Sequence, residues 1–337
     1  MLSKNIVFTK PSVAELLEEK VAELQQDQVL VKLEKSIISS GTERANLLGE
    51  DTLAWNSAPM KAVFPRRLGY SSSGVVTAVG EGVTNLKEGD RVAVAWGTHS
   101  QYLIANSSNV YKIGDIPFSE AAMFNIATFP LAAMRKCRFE MGESAIVMGM
   151  GVLGLCAIKL LKTAGAVPLI AVDPAPEKRE KAIACGADYA LDPYADDFVQ
   201  TVKQLTDGGA NVGIEVTGVG AGLNGILDCM ARFGRVALLG CTRNSDFTVD
   251  YYRKVHGPGI TLVGAHTNAR PEFDSSNGWW TQKDDFTTLT RLIANRRLSL
   301  ADMIEETHSP IQATEVFTRL ANEKTFPIVE FDWSELK

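Results

Sequence analysis

The chain has 337 residues, which predicts two domains at about 100–200 residues each. Hydrophobic residues make up 45% and charged residues 22%, the balance of a globular protein with a real core rather than a disordered or fibrous chain. A formal net charge of −6 argues against nucleic acid or an anionic membrane as the principal partner.

Up to residue 122 the chain reads as short strands and turns. Val29–Leu33, Gly74–Val79, Arg91–Ala95 and Gln101–Ala105 are strand-like. Gly80-Glu81-Gly82 and Glu88-Gly89-Asp90 mark turns between them. Such a density of short strands predicts a small β-barrel. From residue 123 the pattern changes to strand–helix alternation. Ala145–Met148, Pro168–Val172, Val212–Val216 and Gly234–Gly240 are apolar strands, with helical runs at Leu153–Ala164 and Glu177–Ala184. Apolar strands alternating with helices predict a parallel sheet covered on both faces. The tail adds helices at Asp284–Ala294 and Ile311–Asn322 and a last strand at Pro327–Phe331. The most apolar stretch, Ala145–Ile158, falls short of the ~18 residues that span a bilayer. The opening residues, Met1 to Phe8, hold no long apolar core. The five cysteines are widely spaced and form no Cys-x-x-Cys pair, as expected of free thiols in a cytoplasmic protein.

Gly149-Met150-Gly151-Val152-Leu153-Gly154 has the pattern G-x-G-x-x-G, between an apolar strand and a helix. In that setting Gly149 permits the tight turn, Gly151 lets backbone approach a pyrophosphate, and Gly154 lets helix and strand pack closely. The amides opening the helix, at Val152 and Leu153, face the phosphates. The next strand ends at Asp173, roughly 20 residues on, where a carboxylate binds ribose hydroxyls and repels a 2′-phosphate. NAD is therefore favoured over NADP. Lys178 and Arg179, expected beside the same ribose, soften that preference.

Longer segments carry a family resemblance. Leu68–Val76, Val79–Val83 and Glu88–Val92 resemble the N-terminal signature of the medium-chain dehydrogenase/reductase superfamily, and Ala184–Asp188 resembles its segment after the second Rossmann helix. The resemblance covers nearly the whole chain. It implies an α/β fold in which a Rossmann doubly wound parallel sheet is inserted in a GroES-like β-barrel catalytic domain. The expected boundaries are 1–122 with 270–337 for the catalytic domain and 123–269 for the NAD-binding domain. The resemblance also implies an active site in the cleft between the domains, Thr128 beneath the nicotinamide, Thr217 and Gly218 near the cofactor ribose, and Val263 and Ala265 at the nicotinamide carboxamide. Members are homodimers or homotetramers that pair Rossmann sheets edge to edge, a role suited to the apolar strand Ile260–Ala265.

The chain departs from the zinc-dependent members. Where they carry a Cys-Gly-Thr-Asp-like segment it has Ser40-Gly41-Thr42-Glu43, and where they carry Gly-His-Glu it has Gly69-Tyr70-Ser71. Met123–Thr128 offers neither Cys nor Asp as a third ligand, and Ala95–Tyr111 lacks the structural-zinc cysteines. Serine and tyrosine are poor substitutes for thiolate and imidazole. No metal is expected.

Without zinc, hydrogen-bond donors and a base must manage the substrate oxygen. The candidates are Ser40, Thr42, Glu43, Tyr70, His99 and His266, with Arg270 near the last. For all but His266, a bland reading stands beside the functional one: a turn for Thr42, space-filling for Ser40 and Tyr70, a buried pair with an arginine for Glu43, a surface or packing role for His99. Trp279-Trp280 fits either a pocket cap or an oligomer contact. The small-molecule substrate expected is a secondary alcohol or ketone, of a polyol or sugar derivative. Two alternatives stay open: an NADPH-dependent quinone or enone reductase, and a non-catalytic dinucleotide-binding protein.

Overall fold

The computed structural model describes residues 1–54 and 57–336. They form two compact units, Met1–Ile126 with Thr290–Lys337, and Ala127–Leu289.

The first unit opens with an antiparallel hairpin, β1 (Leu2–Lys10) and β2 (Val13–Lys20). Then follow β3 (Gln28–Ile37), helix α1 (Ser40–Leu48), the short pair β4 (Thr52–Ala54) and β5 (Ser57–Met60), β6 (Ser71–Val79), β7 (Arg91–Ala95), β8 (Tyr102–Asn106), β9 (Val110–Lys112) and α2 (Phe118–Ala122). β3 is the organising strand. Val29, Val31 and Leu33 recur at the strand period of two and are fully buried. One edge of β3 pairs with β6, and β8 takes the first half of the other edge.

The second unit begins within α3 (Phe124–Lys136). It continues through β10 (Ala145–Met148), α4 (Val152–Ala164), β11 (Leu169–Val172), α5 (Pro176–Ala184), β12 (Tyr189–Leu191), α6 (Phe198–Leu205), β13 (Ala210–Glu215), α7 (Gly220–Asp228), β14 (Met230–Leu238), β15 (Thr261–Gly264) and most of α8 (Gln282–Ala294). The strands pair in the order β12-β11-β10-β13-β14-β15, all parallel. This is the doubly wound Rossmann order, whose direction reverses between β10 and β13. The completely buried β10 and β11 explain their uninterrupted apolar sequences.

The chain then returns to the first unit with β16 (Glu306–His308), α9 (Ala313–Asn322) and β17 (Val329–Asp332). β17 pairs with the last residues of β3. Phe317, Phe331 and Trp333 from this tail join Phe8, Val31 and Val94 in one core.

The β-barrel and Rossmann expectations agree with this architecture. Residues 270–289 group with the Rossmann unit. The reason is a buried carboxylate: Asp285 pairs with Arg135 of α3 and with Arg270. Among the described residues, no helix is long and apolar enough to cross a membrane.

Candidate functional site

The glycine loop between β10 and α4 has the geometry a pyrophosphate requires. Gly149 has φ +101°, and a Cβ on Gly154 would lie 1.8 Å from the Gly149 carbonyl oxygen. Only glycines close this turn. Gly151 caps α4 without a side-chain hydrogen bond, so the first-turn amides, including those of Val152 and Leu153, point outward unpaired by any cap. Asp173 at the end of β11 is buried and faces this loop. Its Oδ2 accepts the Met150 amide at 2.8 Å and its Oδ1 the Ala175 amide at 2.9 Å. Each oxygen keeps a further lone pair for a ribose hydroxyl. Lys178 Nζ stands 3.9 Å from Asp173. Arg179 is tied locally, donating to the Asp173 and Pro174 carbonyls at 2.8 Å.

Across the switch point, Glu215 ends β13, buried. Its carboxylate accepts the amides of Thr217, at 2.8 Å, and Gly218, and also the Thr217 hydroxyl. It thereby fixes the turn that carries both expected ribose contacts. Burial raises its pKa, against the lowering by these donors. The sequence reading passed over Glu215, although an acid closing an otherwise apolar strand is a visible signal. The glycine loop, the outward amides and the acid fit a dinucleotide. Thr128 is fully buried in α3, and Ala265 is buried just beyond β15 while Val263 is half-buried.

In the first unit, α1 gathers most of the remaining candidates. Ser40 is half-buried and Thr42 exposed at its start. The half-buried Tyr70 directs its hydroxyl to the Ser39 side chain, and Thr42 also hydrogen-bonds it. Burial pushes the phenol up to about 12, outweighing the Ser39 and Thr42 hydrogen bonds, with the Glu43 charge adding to the rise. The Tyr70 ring leans on Trp96 at 5.7 Å.

Glu43 and His99 lie deeper. Glu43 Oε1 accepts the Ser39 amide at 2.9 Å, and Oε2 meets His99 Nε2 at 3.0 Å. His99 Nδ1 meets Ser36 Oγ at 2.7 Å, and Trp333 Nε1 donates to the same Ser36 oxygen at 2.8 Å. His99 is 1% exposed, with Phe331 and Phe317 against its ring. A Cβ at Gly69 would lie 2.4 Å from the His99 amide nitrogen, so the ring packs where only glycine fits. Both His99 ring nitrogens are engaged inside the core. The same holds for Glu43, whose buried partner is His99; Arg44 instead donates to the Glu323 carbonyl at 2.6 Å.

Ser40 and Tyr70, which the family resemblance sets at zinc-ligand positions, offer only hydroxyls, and the Asn125 amide donates to the Tyr70 carbonyl at 2.7 Å. Among the described residues, no group of three or more His, Cys, Asp or Glu side chains could hold a metal ion. This donor set does not suit zinc.

His266 is exposed, and its Nδ1 accepts the Asn268 amide at 3.2 Å. Burial and the neighbouring Lys136 lower its pKa. Arg135 stacks on Trp280 at 3.7 Å, and Lys136 lies 5.1 Å from the Trp279 ring.

Comparison with known proteins matches both units. Residues 25–117 fit the family model of the alcohol dehydrogenase GroES-like domain, and residues 152–281 that of the zinc-binding dehydrogenase. The chain is 28% identical over 322 residues to the D-guloside 3-dehydrogenase of Escherichia coli (strain K12), covering 90% of this chain and 91% of the relative. It is 27% identical over 333 residues to the L-threonine 3-dehydrogenase of Pyrococcus horikoshii, covering 89% of each. The crystal structure of benzyl alcohol dehydrogenase from Acinetobacter calcoaceticus shares its fold, with TM-score 0.84 at 19% identity over 98% of this chain and 99% of that one. Two matched family models, the Rossmann strand order and the glycine–acid cradle agree: the chain belongs to the medium-chain dehydrogenase/reductase superfamily of zinc-type alcohol-dehydrogenase-like oxidoreductases, as a member whose zinc positions hold no zinc ligands.

Proposed function

We propose that the protein is a zinc-independent, NAD(H)-linked oxidoreductase that interconverts a secondary alcohol and its ketone, the substrate being a polyol or sugar derivative. The observation that carries this reading is the Tyr70 phenol, hydrogen-bonded to Ser39 and Thr42 where zinc-dependent relatives carry metal ligands. With its pKa pushed up to about 12, the phenol keeps its proton, and on substrate binding that single O–H turns from Ser39 to donate to the substrate oxygen. Ser40 adds a second hydroxyl there. Thr42, exposed, passes the alcohol proton outward to solvent. Bound NAD supplies the hydride acceptor. Glu43 and His99 act behind these groups by holding the start of α1.

Val152, Leu153 and the loop glycines bind the pyrophosphate, Asp173 the adenosine ribose, and Thr217 and Gly218 the second ribose. Lys178 and Arg179 flank Asp173. Thr128, Val263 and Ala265 hold the nicotinamide. The catalytic role is assigned to the first unit and cofactor binding to the second. The dehydrogenase names of the relatives, acting on a guloside and on threonine, support an alcohol substrate. Two or four copies join through β15, whose Leu262 is 40% exposed. Five free cysteines, three of them buried, suit the reducing cytoplasm.

The test is Tyr70→Phe. Loss of one donor to the developing alkoxide lowers kcat by about 10²-fold. NADH affinity stays unchanged. An unaltered kcat removes Tyr70 from the mechanism.

A further inference from the structure

Lys136 at the end of α3 is 8% exposed, yet its ammonium has no carboxylate within ion-pair distance among the described residues. Its contacts are the Gly264 carbonyl, at 3.5 Å, and the face of Trp279, 5.1 Å away. Neither brings a counter-charge. A buried ammonium without one is costly. Burial first, then the nearby Arg270, pushes its pKa down to about 8, while Asp285 and Cys137 pull it the other way.

The surroundings are also cationic. Arg135 and Arg270 both engage Asp285, so three basic side chains face one buried carboxylate. Asp284 lies nearer the surface, its carboxylate taken up by Ser275 and Thr281. His266 completes the rim. Because its Nδ1 accepts the Asn268 amide, its ring proton sits on Nε2 as a donor. Lys136 is close enough to lower the pKa of His266. These groups gather where β15 ends, on the carboxyl side of the sheet, where ligands bind in open α/β folds. Trp279 and Trp280, 43% and 37% exposed, border the place with flat apolar faces.

We infer that Lys136, His266 and Arg270 form a site for an anionic group, a carboxylate or a phosphate, carried by the substrate. The assignment to substrate rests on the oxidoreductase reading above and narrows its substrate to a sugar acid or a sugar phosphate. Lys136 supplies the charge, His266 Nε2–H a directional hydrogen bond, and Arg270 the surrounding positive field. The tryptophan faces suit the apolar side of a sugar ring.

The experiment is calorimetric titration of the full chain, saturated with NADH, with inorganic phosphate, D-gluconate and neutral sorbitol. NADH fluorescence on the same samples reports the cofactor reading separately. The wild-type protein takes up phosphate or gluconate, and the stronger of the two identifies the substrate's anionic group. Lys136→Met weakens that uptake by about 10- to 100-fold, as expected for a hydrogen bond to a charged group. Lys136→Arg, which keeps the charge, retains it, and guards against a folding defect in the methionine variant. Wild-type protein that takes up neither anion, or Lys136→Met protein that binds as tightly as wild type, overturns the inference whether or not NADH binds.

Discussion

Replacing Asp173 by alanine separates the two cofactors. The wild-type carboxylate receives two backbone amides, from Met150 at 2.8 Å and Ala175 at 2.9 Å, and so ties the glycine loop to the end of β11. Removing it strands the Met150 amide and loosens the loop, at a cost of about 2–4 kcal/mol in stability. The ribose hydroxyls of NADH lose a charged acceptor worth about 1.5–3 kcal/mol, or roughly 10- to 150-fold in Kd. NADPH behaves differently. Its 2′-phosphate no longer meets a carboxylate, and Lys178, which stood 3.9 Å from Asp173, becomes its partner. The NADH-to-NADPH preference should therefore fall by about 10²-fold or more. Nicotinamide fluorescence titrations of both cofactors against both proteins, with urea unfolding alongside, measure each part. Wild-type protein that binds NADPH as tightly as NADH, or a variant whose preference moves by less than about threefold, refutes the role given to Asp173.

Other expectations follow from the same geometry. Gly154→Ala drives a methyl group to within 1.8 Å of the Gly149 carbonyl, so NADH binding should collapse while circular dichroism still reports a folded chain; binding within a few-fold of wild type contradicts the assigned loop. His99→Leu removes hydrogen bonds to Ser36 and Glu43 and leaves a buried carboxylate with one partner fewer. Urea unfolding should show a loss of about 2–4 kcal/mol, and a loss below about 1 kcal/mol would mean the pair is dispensable. Because the folded-state pKa of Tyr70 is raised to about 12 from 10.0, its share of stability is full below pH 10.0 and is lost as the pH climbs toward 12. Through pH 9 the phenol stays protonated, so the phenylalanine variant should keep the shape of the wild-type profile of kcat against pH, and a limb below pH 9 that disappears in the variant would mean the phenol titrates there. Among the thiols, Cys241 is exposed, whereas Cys137 and Cys229 are buried with thiols pushed up to about 12. Iodoacetamide on the native protein should modify Cys241 first and spare Cys137, Cys156 and Cys229 until urea is added, as read by peptide mass.

The Rossmann unit was the more legible half. Its strands are buried on both faces and therefore read as unbroken apolar runs, and Gly149–Gly154 and Asp173 hold their meaning within one short stretch of chain. The β1–β2 hairpin was not legible. Val13–Lys20 is rich in leucine and glutamate, which favour helix locally, and only its pairing with β1 makes it a strand. The candidate site divides similarly. That Tyr70 and Thr42 share one place could be expected from the family pattern. The burial of His99 could not, because Phe317 and Phe331 arrive from a tail more than two hundred residues away in sequence. The grouping of residues 270–289 with the Rossmann unit could not be read locally, because Asp285 has its partners Arg135 and Arg270 in two other segments. Lys136 drew no notice for the same reason: a lysine ending a helix normally reaches water, and its burial depends on Gly264 and Trp279.

The most direct test of the account is NAD⁺ reduction by the purified protein after exhaustive treatment with a metal chelator. The substrates would be polyols, sugars, sugar acids and sugar phosphates, with product followed by NADH absorbance. The account predicts turnover that survives the chelator, is not raised by added zinc, and is stronger with NAD⁺ than with NADP⁺. Turnover that vanishes with the chelator and returns with zinc would contradict it, as would NADPH-linked reduction of quinones or enones in place of any alcohol oxidation.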